Sequence, residues 1–169
     1  MGRFFLNHRL KQDKQKEKGM LPNFICPGAQ KAGTTTLYNI LKQHPQIGMP
    51  SVKEPGFFSM DRKYERGLAW YERQFYRHTK AVEIIADMST PYLNHAEISA
   101  KRIYESLGPD LKFVFVLRDP VKRAYSQYTM KVRDCLEDES FENALKLEES
   151  RRTEGNLKDP KGRPWEYSY

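Results

Sequence analysis

Apolar positions along the chain fall into short blocks whose spacing alternates between strand-like and helical. NFICPG, Asn23 to Gly28, is a brief apolar run closed by proline and glycine, which predicts a buried strand entering a turn. TTTLYNILKQH follows, placing Leu37, Ile40 and Leu41 at helical spacing and stopping before Pro45. GLAWYERQFY, Gly67 to Tyr76, sets Leu68, Trp70, Tyr71 and Phe75 on one amphipathic helix, a stripe expected to pack in the core. VEIIAD, Val82 to Asp87, predicts a second strand, then a polar turn MSTPY and a helix from about Ala96 to Leu107. LKFVFVL, Leu111 to Leu117, is the clearest strand, nearly continuous in apolar and β-branched residues, as expected where both faces are covered. Pro120 is well placed to open a helix through Arg133, and a further amphipathic helix is expected from Ser140 to Glu149. Strands alternating with helices predict an α/β sandwich around a mostly parallel sheet.

From about Arg151 onward the chain is polar, bears glycine and proline, and loses its periodicity, which predicts a loop. With 169 residues and 38% hydrophobic content, the chain is long enough for one domain with its own core. The first twenty residues, MGRFFLNHRLKQDKQKEKGM, read as a solvated basic arm ahead of a domain spanning 21–169.

The net charge of +7 and pI near 9.3 call for an anionic partner. Positive charge is dispersed and no nucleic-acid recognition motif occurs, so nucleic acid ranks last. No apolar run is long enough for a membrane span, FFL after Arg3 is too brief for a secretory core, and MGRFFL lacks the hydroxyl residue of a myristoylation signal. A cytoplasmic location is the resulting expectation. Cys26 and Cys135 are far apart and without metal-ligand spacing, so neither a disulfide framework nor a metal site is expected.

GAQKAGTTT, Gly28 to Thr36, sits between the first strand and the first helix, the context in which loop amides and a helix N-terminus face one anion. Gly28 and Gly33 have the spacing of a triphosphate-binding loop. Thr34 stands where that loop has its lysine, and the one lysine, Lys31, lies inside the loop. The glycines permit positive φ, Lys31 supplies a charge, and Thr34 and Thr35 supply hydroxyls, a set that points to an anion more strongly than to a triphosphate.

LRDPVKRAYSQY, Leu117 to Tyr128, follows the strongest strand. Arg118 falls at the strand's carboxyl end and Ser126 about two turns into the next helix, where guanidinium and hydroxyl suit a second phosphate. The plainer alternative is an Arg118–Asp119 ion pair with Ser126 facing solvent.

Together, QKAGTTTLYNIL and VFVLRDPVKRAYSQY resemble the sulfotransferases that use 3′-phosphoadenosine 5′-phosphosulfate, especially the heparan-sulfate and carbohydrate branch. The resemblance implies a P-loop-containing three-layer α/β sandwich in which Lys31, Gly33, Thr34 and Thr35 cradle the 5′ end of the donor. Gly28, Gln30 and Ala32 complete that loop, and Arg118 and Ser126 hold the 3′-phosphate. KEPGFFS, Lys53 to Ser59, is similar to the family's K-E-x-x-F-F stretch, which assigns Glu54 as general base and Lys53 as its neighbour at the transferring group. DMSTPYL resembles a turn bordering the acceptor cleft, making Ser89, Thr90 and Tyr92 candidate acceptor contacts. The implied partners are the nucleotide sulfate donor and a hydroxyl- or amine-bearing acceptor, most readily a saccharide, with no metal.

Sulfotransferases of this kind are longer, so the sandwich is expected to be incomplete at its carboxyl end. Two rival readings stand beside the enzyme. One is a small P-loop kinase, in which Asp87 would be the metal-binding carboxylate after an apolar strand. The other is a module that binds a nucleotide or polyanion without catalysis.

Overall fold

The computed structural model describes residues 19–80 and 82–153. The expected basic arm, apart from its last two residues, and the tail beyond Thr153 with its Lys161–Arg163 cluster lie outside them. The described chain divides into two compact units, one built on residues 19–28 and 34–116, the other on 29–33 and 117–153.

The first unit carries the sheet. Its elements are β1 (Phe24–Cys26), α1 (Thr34–Leu41), β2 (Ile47–Gly48), α2 (Asp61–Tyr64), α3 (Leu68–Phe75), β3 (Ile84–Met88), α4 (Pro91–Asn94), α5 (Ala96–Leu107) and β4 (Lys112–Phe113). The four strands run in the order β2-β3-β1-β4, and every pairing is parallel. In β1 and β3, Ile25 pairs with Asp87 and Cys26 with Met88. Successive residues therefore face opposite sides of the sheet.

On one side Ile25 and Ile85 meet an aromatic cluster of Phe57, Phe58, Tyr71, Phe75, Tyr76 and Tyr92. Phe57 stacks on Tyr71 with centroids 4.4 Å apart, and Phe58 meets Tyr92 edge-on at 5.7 Å. Such pairs contribute about 0.5–1.5 kcal/mol each beyond the area they bury. On the other side Cys26 and Met88 pack under Tyr38, Leu37 and Leu41 of α1. Helices on both faces of a parallel sheet give the expected α/β class.

Two sequence expectations are corrected here. Ile40 points outward at 60% exposure, and Tyr38 takes the buried place on α1. Among the described residues LKFVFVL is not a covered central strand. Only Lys112–Phe113 forms regular strand, although the amides of Val114 and Val116 continue the ladder onto the carbonyls of Ile25 and Gly28. β4 ends the strand order, with β1 as its partner, and Phe113, Phe115 and Leu117 stand exposed. An apolar run thus signals strand, but its burial is set by position in the strand order.

The second unit contains α6 (Pro120–Arg133) and α7 (Phe141–Thr153) beside the loop 29–33. Asp119 caps α6, its Oδ1 accepting from the Lys122 amide at 2.9 Å, and Pro120 fills the first turn. Cys135 ends the helix in the left-handed region at φ 54°. Ala124, Ala144, Tyr128 and Phe141 form the contact between the two helices. α7 outruns its expected end, so Arg151 is helical, and its guanidinium grips the buried Glu137 through two bonds, at 2.6 and 3.2 Å.

Candidate functional site

The second unit gathers three polar residues, Arg118, Gln127 and Arg133, around the loop. Arg118 donates through Nη1 to the Lys31 carbonyl at 3.1 Å, and Gln127 donates through Nε2 to Gln30 Oε1 at 3.2 Å. Both bonds join loop residues to positions far along the chain, so two separate nucleotide-motif segments meet in one place. Lys31 itself adopts φ 67°, a conformation that costs a side-chain-bearing residue about 1–2 kcal/mol. Burial holds its ammonium below the usual lysine range, and the positive charges of Arg133 and Arg118 push it lower still, against Asp134. Cations crowded in this way are eased by a bound anion. That excess of positive charge suits the loop to an anion such as a phosphate. Ser126 lies half-buried on α6, and its carbonyl accepts from Thr129. Asp119, in the plainer alternative the partner of Arg118, is used as the helix cap.

Gln127 and Arg133 were not signalled by motif. Gln127 follows directly after Ser126, and its inward direction emerges only from the phase of α6, whose buried positions are Arg123, Ala124, Gln127 and Lys131. The loop glycines behave as their spacing predicts, with φ 148° at Gly28 and 107° at Gly33. A Cβ at Gly28 would lie 3.1 Å from the Leu93 Cβ, so small size as well as backbone freedom is required there. Thr34 is buried and Thr35 exposed at the start of α1.

In the first unit the KEPGFFS stretch forms a tight turn. Glu54 adopts φ 60° and Gly56 φ 61°, on either side of the buried Pro55. The Glu54 carboxylate is held by Lys53 Nζ and by Thr90 Oγ1, the latter at 3.1 Å, and both act on Oε1. Oε2 has no partner among the described residues, and the side chain keeps 33% of its exposure. Such a carboxylate can receive a proton from an incoming hydroxyl or amine.

Ser89 and Tyr92, the candidate acceptor contacts, are both buried. Both hydroxyls turn inward onto Asp87, which is 0% exposed: Ser89 Oγ donates to Oδ1 at 2.6 Å, and Tyr92 donates to Oδ2 at 2.7 Å. Tyr71 adds a third bond to Oδ2 at 2.5 Å, and Lys63 adds a favourable charge. Desolvation nevertheless raises the Asp87 pKa above the ordinary carboxylate range, with the three hydroxyl bonds opposing it. Burial and Asp87 together push Tyr71 and Tyr92 well above the usual tyrosine range, so all three hydroxyls remain donors. An aspartate sealed by three side-chain hydroxyls is not available as the metal carboxylate of a kinase. Thr90 is buried and serves Glu54.

An apolar hollow of about 370 Å³ also opens in this unit, lined by Leu93, Ala100, Ile103, Leu111, Phe113 and Phe115 among others. It carries no cation and no carboxylate, so it does not suit the anionic chemistry above. Among the described residues no cluster of His, Cys, Asp or Glu could hold a metal, and no helix is long and apolar enough to cross a membrane.

A family profile described as sulfotransferase domain matches residues 21–155. The membrane-associated sulfotransferase kil1 of Dictyostelium discoideum is 36% identical over 67% of this chain and 24% of its own length. Heparan sulfate glucosamine 3-O-sulfotransferase 3B1 of Mus musculus is 36% identical over 73% of this chain and 30% of its own length. A human bifunctional heparan sulfate N-deacetylase/N-sulfotransferase is 39% identical over 72% of this chain, 14% of its length. A solved sulfotransferase from Alicyclobacillus acidocaldarius superposes with a TM-score of 0.69 at 35% identity, over 79% of this chain and 59% of that one. The chain thus spans less than a third of these curated relatives. With the profile covering most of its length and the loop, motif segments and parallel sheet in place, the chain belongs to the sulfotransferase family.

Proposed function

We propose that this chain binds 3′-phosphoadenosine 5′-phosphosulfate and moves its sulfuryl group to a hydroxyl or amine, on a saccharide acceptor. The observation that carries the reading is the Arg118–Lys31 bond, which brings the residues of two separate nucleotide motifs into one cationic cluster. The 3-O-sulfotransferase and N-sulfotransferase relatives support a sugar acceptor.

In this reading the donor supplies a sulfuryl group on a good leaving phosphate. Lys31, within a loop opened by Gly28 and Gly33 and joined by Gln30, Ala32, Thr34 and Thr35, offsets the charge that grows on that phosphate. Arg118 and Ser126 hold the second phosphate of the nucleotide. Glu54 takes the proton from the acceptor through Oε2, while Lys53 and Thr90 steady its other oxygen. As the acceptor forms its bond to sulfur, the bond from sulfur to the phosphate oxygen breaks, and a sulfated acceptor and 3′-phosphoadenosine 5′-phosphate result.

Calorimetry with 3′-phosphoadenosine 5′-phosphate, against ATP with magnesium, tests the binding half. Metal-independent binding of the bisphosphate is the expected result; preference for ATP with magnesium refutes the reading. Radiolabelled sulfate transfer to heparan-type saccharides tests the other half, with Glu54→Gln expected to abolish transfer and to leave bisphosphate binding intact.

A further inference from the structure

The proposed base sits on a backbone that should not hold its shape unaided. Glu54 and Gly56 are both left-handed, and a glutamate has no intrinsic preference for that region. Ser59 Oγ donates to the Gly56 carbonyl at 3.3 Å and Lys63 Nζ to the Pro55 carbonyl, and a further short chain of hydrogen bonds runs from the turn into the interior. The Gly56 amide donates to Ser89 Oγ at 2.9 Å, and the Ser89 hydroxyl donates its single proton to Asp87 Oδ1 at 2.6 Å. The next residue, Thr90, donates to Glu54 itself.

Direction matters in this chain. A serine hydroxyl has one proton and two lone pairs. Because Asp87 claims the proton, a lone pair faces the Gly56 N–H. Asp87 in turn receives only donors: Ser89 on Oδ1, Tyr71 and Tyr92 on Oδ2. A carboxylate accepts on both oxygens, whereas an asparagine amide would set N–H against either the serine or the tyrosines.

We propose that Asp87 is a positioning residue for Glu54. Through Ser89 it orients the one hydroxyl that pins the Gly56 amide, and so holds the catalytic turn in its left-handed form. The proposal rests on Glu54 being the base, but its own content is the link from Asp87 to the turn.

Two variants of the full chain test it. Asp87→Asn changes the hub directly and puts the core at risk. Ser89→Ala keeps the carboxyl group and both tyrosines and cuts only the link. In Ser89→Ala, hydrogen exchange at the Gly56 amide is expected to accelerate at least about tenfold, and the Glu54 carboxyl carbon resonance to shift. Saccharide sulfation should lose about 10- to 100-fold in kcat, as small misplacements of a catalytic group do, while donor KM and bisphosphate affinity stay within about twofold. An unchanged Gly56 amide and Glu54 resonance overturns the proposal. So does a parallel loss of kcat, bisphosphate binding and thermal stability, which marks Ser89 as merely structural. If wild-type protein sulfates no acceptor, the assignment of function fails separately, and the two resonance measurements still decide whether Asp87 holds the turn.

Discussion

Replacing Lys31 with alanine removes the charge at the centre of the proposed donor site and leaves its backbone problem unchanged. Alanine at φ 67° bears nearly the same strain as lysine, so stability should move by less than about 0.5 kcal/mol. Binding should move much more. A unit charge pair at contact distance is worth about 4 kcal/mol at an effective dielectric of about 20, and the partial exposure of Lys31 screens this to about 1.5–3 kcal/mol. The corresponding weakening of 3′-phosphoadenosine 5′-phosphate binding is about 10- to 150-fold, read by calorimetry at fixed salt.

Proton linkage supplies a second reading of the same variant. The free Lys31 pKa is lowered, by burial first and then by Arg133 and Arg118. A bound phosphate favours the charged form and raises it again. Binding should therefore take up a proton in alkaline buffer, between the lowered value and the value in the complex, and affinity should fall as pH rises through that window. Calorimetry in buffers of different ionisation enthalpy measures the uptake. Lys31→Ala binding within twofold of wild type, or proton uptake that survives the substitution, would refute the assignment.

Tyr71→Phe removes one charge-assisted bond to a sealed carboxylate and should cost about 1.5–3 kcal/mol in urea unfolding; a loss below about 0.5 kcal/mol contradicts the hub. Because the Asp87 pKa is raised, the native chain keeps that proton to a higher pH than the unfolded chain. Its stabilising contribution is full below 3.8 and declines as pH rises through the native value, a slope that thermal melts should show in wild type and lose in Asp87→Asn. Phe115→Lys on the exposed edge run should slow concentration-dependent aggregation without lowering the melting temperature, checked by light scattering and calorimetry. A thiol reagent should label the exposed Cys135 at once in native protein and reach Cys26, buried with its thiol pKa raised, only on unfolding.

Much of this architecture is legible because local chemistry and final structure agree. Thr34–Leu41, Leu68–Phe75, Ala96–Leu107 and Pro120–Arg133 form helices where periodicity, proline and glycine signals place them. Burial is less legible. LKFVFVL reads as interior, but strand order is a property of the sheet and not of the run, and among the described residues the run stands at the end of that order. The anion loop is visible in its glycines and lysine, whereas Gln127 depends on the phase of a helix nearly a hundred residues away. Asp87, which only kept the rival kinase reading open, is the least legible. Its letter suggests a metal carboxylate, and only the three hydroxyls converging on it from α3, α4 and the turn after β3 reveal a structural hub.

The composition of the second unit has a consequence for how the chain is made. Loop residues 29–33 leave the ribosome early, yet their partners Arg118 and Gln127 lie 87 and 97 positions later. During synthesis a nascent chain that has not reached Arg118 therefore carries the loop without the bonds that Arg118 and Gln127 make to it. Closing so long a segment is entropically slow as well. If the proposed site is right, donor binding should appear only once the helix after Pro120 has emerged.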